Sequence, residues 1–470
     1  MRFAMRPLAL LGALAVVGAA APPAGVPPAL AALATANGHP ATVHVRAART
    51  RLVEQRTVVT TLDRLGTASL LRNCVEGVCG GTWFDGRRRW RFGLNDVPLP
   101  EADDDATRLE RTVAAIESFA FAEPSFAASG GSVAADGPGR WRVRAAGGPE
   151  LVAVVDPRSG ALLRIERAGA VLAAYDAPVR VGGAAFPVLH AFASDERALL
   201  ASAAAVAAPI VPPAGPALSF SNGAPAGLAA SALPVVPCTL AGVAFRCLLD
   251  SGSTPSSIAL PVAERLGLEP HGELQIQGIA ALATGFVETG PLVAAGARFA
   301  SARFAVVPPV RSAPFDVVVG ADLLGCVRLR VDRVRRLAVL EPPGDAPPGA
   351  TALDLRDGTP AVEITLAGAA RGALLDTGDE AALSIGYASY REGPQWPLAG
   401  RASASGLAGS EDAFLVDVPD VKVGARDLGA LRVLVRRTQP EAHVGIAAWN
   451  GGALVLDERA GAAWLDPASR

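Results

Sequence analysis

The stretch Leu240-Ala-Gly-Val-Ala-Phe-Arg-Cys-Leu-Leu-Asp250-Ser-Gly-Ser-Thr254 returns as Leu366-Ala-Gly-Ala-Ala-Arg-Gly-Ala-Leu-Leu-Asp376-Thr-Gly-Asp-Glu380. In each copy an apolar strand with a turn at Ala-Gly runs into Asp-Ser/Thr-Gly. That tripeptide breaks the strand where the apolar run ends and presents the aspartate on a tight loop. The duplication extends beyond the motif: Gly320 follows Asp250 by 70 residues and Gly445 follows Asp376 by 69. Twelve residues past each glycine stands an aspartate, Asp332 and Asp457, and 21 past each an acid before proline, Glu341-Pro342 and Asp466-Pro467. Four landmarks in register define two copies of one domain, residues 215–345 and 350–470.

In the first copy Leu-Leu-Asp-Ser-Gly is followed by strand-like Ser257-Ile-Ala-Leu260, helix-like Pro261-Val-Ala-Glu-Arg-Leu-Gly267, and then Val317-Val-Val-Gly-Ala-Asp-Leu-Leu-Gly325. This order resembles the retropepsin-like (pepsin-type) aspartic proteases. The resemblance implies a mainly β fold, with two tandem retropepsin-like β-barrel lobes forming a bilobal protease. Each lobe donates one aspartate, which makes Asp250 and Asp376 the candidate catalytic dyad. Gly252 and Gly378 then allow the tight loops, Ser251 and Thr377 can hydrogen-bond within them, Ser253 belongs to the support of the first loop, and Gly320 and Gly445 leave room for the segment packed behind. Each lobe is also expected to contribute a hairpin over the substrate, with Gly278 in the first copy and Gly406 and Gly409 in the second as the flap candidates.

Two carboxyls within hydrogen-bonding distance hold one proton between them, so their pKa values separate. Such a pair activates water with its ionised member and polarises a peptide carbonyl with its protonated one, without metal or covalent intermediate. The second copy departs from the pattern by placing Asp379 and Glu380 after Asp-Thr-Gly. A third carboxylate about 6 Å from the dyad would interact by roughly 3 kcal/mol at an effective dielectric of 20. Three readings follow: Asp379 shifts the pH optimum upward, points to solvent, or marks a lobe that has lost activity.

A length of 470 residues exceeds one core and fits roughly three domains. With 43 basic against 45 acidic residues the net charge is -2, which gives no reason to expect nucleic acid or an anionic membrane as partner. Residues 1–36 read as a secretory signal peptide, two arginines before an apolar stretch, with cleavage after Ala20 or Ala36. The run 198–220 is uncharged but broken by four prolines. It fits no membrane span, and 198–214 is read as an Ala/Pro linker. The chain is therefore expected to be periplasmic or secreted, where disulfides form. Of five cysteines, Cys74 and Cys79 can close a small loop. Cys238 and Cys247 flank the Ala-Gly turn symmetrically and are expected to face each other across the hairpin, stabilising it by roughly 2 to 3 kcal/mol.

His-Glu-x-x-His, Gly-x-Ser-x-Gly and Cys-x-x-Cys are absent, the five histidines are scattered at 39, 44, 190, 271 and 443, and the single lysine is Lys422. Metallohydrolase, serine hydrolase, thiol redox and phosphate-loop chemistries lack their parts, and no metal or cofactor is expected.

Residues 37–197 alternate apolar and charged positions, as at Arg89-Trp-Arg-Phe and Trp141-Arg-Val-Arg, which predicts a β-rich α+β domain with one helix over 106–119. The order loosely resembles the half-barrel of periplasmic lipoprotein-carrier proteins, which implies a lipid or lipoprotein contact. The basic cluster 87–91 reads as a solvated hairpin edge, and the acidic run 101–105 as carboxylates facing a helix N-terminus. The expected function is an exported aspartic endopeptidase acting on protein or peptide, monomeric because both aspartates lie in one chain. The alternative is an inactive module of the same fold that binds peptides or lipoproteins.

Overall fold

The computed structural model describes residues 27–53, 56–101, 103–192, 199–221, 225–278, 281–310, 313–356, 358–406 and 409–467. The chain is mainly β, as its alternation and turn chemistry predict. Each repeated Leu-Leu-Asp stretch is the second strand of a hairpin: Val235–Leu240 with Val243–Asp250, and Thr359–Leu366 with Ala369–Asp376. The Ala-Gly turns carry positive φ at both residues, Ala241 and Gly242 in one and Ala367 and Gly368 in the other. This geometry matches the twist of the flanking strands, and a glycine at the second position relieves half of its strain.

The strand ending in Asp250 lies parallel to Val317–Gly320, with Asp250 opposite Gly320. The strand ending in Asp376 lies parallel to Ala442–Gly445, with Asp376 opposite Gly445. The 70- and 69-residue intervals are thus the chain needed to leave and return beside each aspartate strand. Strands Arg328–Asp332 and Gly452–Asp457, one from each copy, pair antiparallel at the centre of a sheet the two copies share. Asp332 and Asp457 recur because each carboxylate caps the turn after its strand, accepting from Arg335 N at 2.8 Å and Ala460 N at 2.9 Å. One apolar core, including Leu249, Val319, Leu375 and Val444, runs through both copies.

The N-terminal part holds two antiparallel sheets, of seven and six strands. Helix Asp105–Glu117 packs Ala115 and Ile116 against strands Leu151–Val155 and Leu162–Arg167. Asp104 caps this helix by accepting from Thr107 N at 2.8 Å, which accounts for the acidic run.

Four expectations are corrected. Helix Pro28–Ala36 buries Leu30, Leu33 and Ala34 in the N-terminal core. A signal peptide reaching residue 36 would remove part of that core, so of the two cleavage sites only the one after Ala20 leaves it whole; residues 1–26 lie outside the described part. The segment 198–214 is not all linker, since strand Leu199–Ala205 pairs with Val45–Val53. The basic cluster is a solvated turn only at Arg87 and Arg88, which are exposed; strand Arg89–Phe92 is no edge, being covered by Leu99–Pro100, and Arg89 and Arg91 pair with Glu101. Cys74 and Cys79 close the small loop expected of them, opposite each other in the ladder, but Cys238 faces Phe245 and Cys247 faces Val236, so their disulfide runs diagonally across the hairpin. Cys326 is a buried free thiol that burial pushes up to about 12. Among the described residues no helix is long and apolar enough to cross a membrane.

The N-terminal part does not end at its own sheets. Val97, between strands Arg89–Phe92 and Leu99–Pro100, and Leu99 of the second strand insert into the core that the two copies share. Asn95, buried at the same contact, donates from Nδ2 to Asp322 Oδ2 at 2.7 Å and to Arg303 O at 2.9 Å, and accepts from Arg303 N at 2.8 Å.

Candidate active site

The two Asp-x-Gly loops meet. A Cβ on Gly252 would overlap the Asp376 carboxyl and one on Gly378 would overlap the Asp250 carboxyl, so glycine is required at both positions for the loops to approach. Gly252 N donates to Asp250 Oδ1 at 3.0 Å and Gly378 N to Asp376 Oδ1 at 2.8 Å, and each carboxyl lies against the glycine of the other loop. Ser251 and Thr377, expected to bond within their own loops, bond instead across to the other. Ser251 Oγ donates to Leu375 O at 2.7 Å and accepts from Thr377 N at 3.1 Å; Thr377 Oγ1 donates to Leu249 O at 2.7 Å and accepts from Ser251 N at 2.9 Å. Both hydroxyl residues are fully buried, so this reciprocal clamp fixes one carboxyl against the other.

Behind the loops, a Cβ on Gly320 would strike Ser253 O and one on Gly445 would strike the carbonyls of Asp379 and Ala381. Beyond Gly320 the buried Asp322 accepts from Ser256 N at 2.8 Å and Ser256 Oγ at 2.6 Å, and Ser256 Oγ accepts from Gly320 N at 2.9 Å. The corresponding residue of the second copy is Ala447. There Asp379 supplies the brace, accepting from Ala381 N at 2.9 Å and from Ser384 Oγ at 2.7 Å. Asp379 therefore turns to the backbone of its own loop rather than to solvent. Burial and the charge of Asp376 push its carboxyl upward, so Asp379 takes up a proton more readily and weighs less on Asp376 than a free carboxylate would.

The aspartates do not share one environment. Burial, and then the Asp376 charge, push Asp250 well above the usual carboxylate range. For Asp376 burial acts the same way but is outweighed by His443, whose Nδ1–H donates to Oδ2 at 2.9 Å and holds the carboxyl below its ordinary value. One proton on the pair accordingly resides on Asp250. Asp376, Asp379 and His443 bring one ligand atom each within 4.8 Å of one another. The Asp376–His443 and Asp379–Ser384 hydrogen bonds already engage these side chains, and we read the trio as a hydrogen-bond network rather than an ion cage. His443 was invisible as a site residue in sequence, although its place two positions before Gly445 puts it on the same strand face as that glycine.

A cleft of about 310 Å³ opens over Asp250, walled by Leu233, Leu248, Phe315 and Glu380. Gly406 and Gly409 pair at the tip of the hairpin Leu398–Gly406 and Gly409–Val423, and Ser405 and Gly406 reach the cleft wall. Gly278 stands at the end of the hairpin His271–Gln277 and Ala281–Thr289 and is not among the described residues lining the cleft.

The aspartyl protease family matches this chain over residues 236–323, which include the Asp250 loop, Gly320 and Asp322. The chain thus carries an aspartyl protease-like domain. A crystal structure of basic 7S globulin from soybean is similar at 13% identity, covering 51% of this chain and 94% of that one, with a TM-score of 0.27. No curated protein matches.

Proposed function

We propose that the chain is an exported aspartic endopeptidase, its two copies acting as lobes and Asp250 and Asp376 as the dyad that hydrolyses peptide bonds. The observation that carries this reading is the meeting of two Asp-Ser/Thr-Gly loops, each carboxyl set against the other loop's glycine and the loops held by reciprocal hydroxyls. In the reaction Asp376 takes a proton from water as the water oxygen bonds to the peptide carbon, and Asp250 gives its proton to the carbonyl oxygen. The resulting diol collapses as Asp376 passes its proton to the leaving nitrogen, the C–N bond breaks, and Asp250 regains a proton from a diol hydroxyl. The hairpin carrying Gly406 closes the substrate channel. Both aspartates come from one chain, so a monomer suffices.

The two disulfides favour a periplasmic or secreted setting. A second feature favours a lipid or lipoprotein contact in the N-terminal part. A cavity of about 520 Å³ lies between helix Asp105–Glu117 and the seven-stranded sheet, lined by Leu62, Leu71, Leu109, Val113 and Phe186.

The test is cleavage of a denatured protein mixture by the full chain from acid to neutral pH, with wild type, Asp250→Asn and Asp376→Asn side by side and a statine-type inhibitor. Activity abolished by either substitution and by the inhibitor is expected. Well-folded wild type without activity at any pH would refute the peptidase reading in favour of the binding module.

A further inference from the structure

Matched positions of the two copies show where the pair loses its symmetry. Leu248 faces Val318 across the parallel ladder of the first copy, and Leu374 faces His443 across that of the second. Val318 packs among Leu233, Leu248 and Phe315. Its counterpart His443 instead donates to Asp376 at 2.9 Å from a side chain 17% exposed. Among the described residues no corresponding side-chain donor is seen at Asp250, which faces Asp376 and the N–H groups of Gly252 and Gly378.

We propose that His443 is a positioning residue that assigns the two roles of the dyad: its Nδ1–H fixes Asp376 as the base toward water and leaves Asp250 as the acid toward the peptide carbonyl. The inference rests on the peptidase reading and adds a direction to it, since a symmetric pair would exchange roles. The titratable groups facing Asp376 are Asp250 from the opposite loop, Asp379 from its own loop and His443 from strand Ala442–Gly445. Glu380 lines the cleft beyond them, and the adjoining strand Leu383–Gly386 presents Ser384. Of these, His443 and, after it, the protonated Asp250 offer donors that stabilise the ionised form of Asp376, while Asp379 opposes it. Removal of His443 and removal of Asp379 must therefore move Asp376 in opposite directions.

The experiment is a carboxyl ¹³C titration of the full chain labelled at aspartate, the dyad signals being assigned by their loss in Asp250→Asn and Asp376→Asn. The pH profile of kcat/KM is recorded on the same proteins. The Asp376 signal should ionise at lower pH than that of Asp250. In His443→Val, which installs the residue of the first copy, the Asp376 titration and the acid limb of kcat/KM should both rise by about one pH unit. His443→Gln, which keeps an N–H donor, should restore part of the shift, and Asp379→Asn should move Asp376 downward. Dyad signals that titrate in the reverse order, or an Asp376 signal unmoved in His443→Val and His443→Gln, would overturn the proposal. The carboxyl titration reads the assignment even if no substrate is cleaved, so failure of the peptidase reading is seen separately in absent turnover by wild type.

Discussion

Asn95 ties the N-terminal part to the candidate active site, and Asn95→Ala measures that tie. The substitution deletes three hydrogen bonds, to Asp322 Oδ2 at 2.7 Å, Arg303 O at 2.9 Å and Arg303 N at 2.8 Å. Asp322 is 4% exposed and Asn95 6%, so the orphaned groups have little access to water. An unmet buried group costs about 1–3 kcal/mol and a made hydrogen bond contributes about 1 kcal/mol. With partial relaxation, the expected loss is about 3–5 kcal/mol, a large share of the ~5–15 kcal/mol that stabilises a typical protein. Asp322 holds Ser256, Ser256 accepts from Gly320 N, and Gly320 pairs with Asp250, so the loss should reach the Asp250 loop. Urea unfolding of the full chain followed by Trp fluorescence gives the stability, and native-state hydrogen exchange at the Ser256 and Gly320 amides gives the local effect. Asn95→Asp, which sets a carboxylate against Asp322, should be at least as damaging. A variant that unfolds within about 0.5 kcal/mol of wild type, with unchanged exchange at both amides, would refute the reasoning.

Thr377→Val removes the donor to Leu249 O and the acceptor of Ser251 N; a loss of about 2–4 kcal/mol by urea unfolding is expected, with Thr377→Ser recovering most of it. Glu458 is buried with neither carboxyl oxygen hydrogen-bonded to a described residue, and burial followed by the charges of Asp457 and Asp322 pushes it well above the usual range. The folded chain therefore keeps a proton that the unfolded chain gives up near its ordinary value of about 4.3, so stability falls by about 1.4 kcal/mol for each pH unit above that value until the raised one is reached. Glu458→Gln should abolish this slope and melt above wild type at neutral pH; melting curves across pH that stay parallel would contradict it.

The features legible in sequence are those whose chemistry is local. The Ala-Gly turns, the strand break at each aspartate and the helix behind Asp104 are set by neighbouring residues, and the repeat adds the spacing between aspartate and returning glycine. What stayed hidden depends on partners far along the chain. Ser251 and Thr377 bond across 124 to 128 residues, and a hydroxyl in a loop carries no mark of which carbonyl it will meet. Asn95 reaches Arg303 and Asp322 from a segment with no regular period. Strand Leu199–Ala205 passed for linker because alanine and serine give the alternation little contrast, and helix Pro28–Ala36 because an apolar helix and the end of an export signal share one composition.

The duplication offers a way around part of that limit. Two copies of one fold should carry like residues at like positions wherever the position only has to hold the fold. Glycines 252 and 378, 320 and 445, and aspartates 332 and 457 obey this, each answering the same steric or capping demand twice. The unlike pairs, Ser253 with Asp379, Val318 with His443 and Asp322 with Ala447, are the positions where the halves do different work. In the structure Asp379, His443 and Asp322 form the hydrogen bonds that brace or bias the two aspartates. Differences between the copies, set on the ladder that aligns Asp250 with Asp376, thus point to the residues that set the asymmetry of the site.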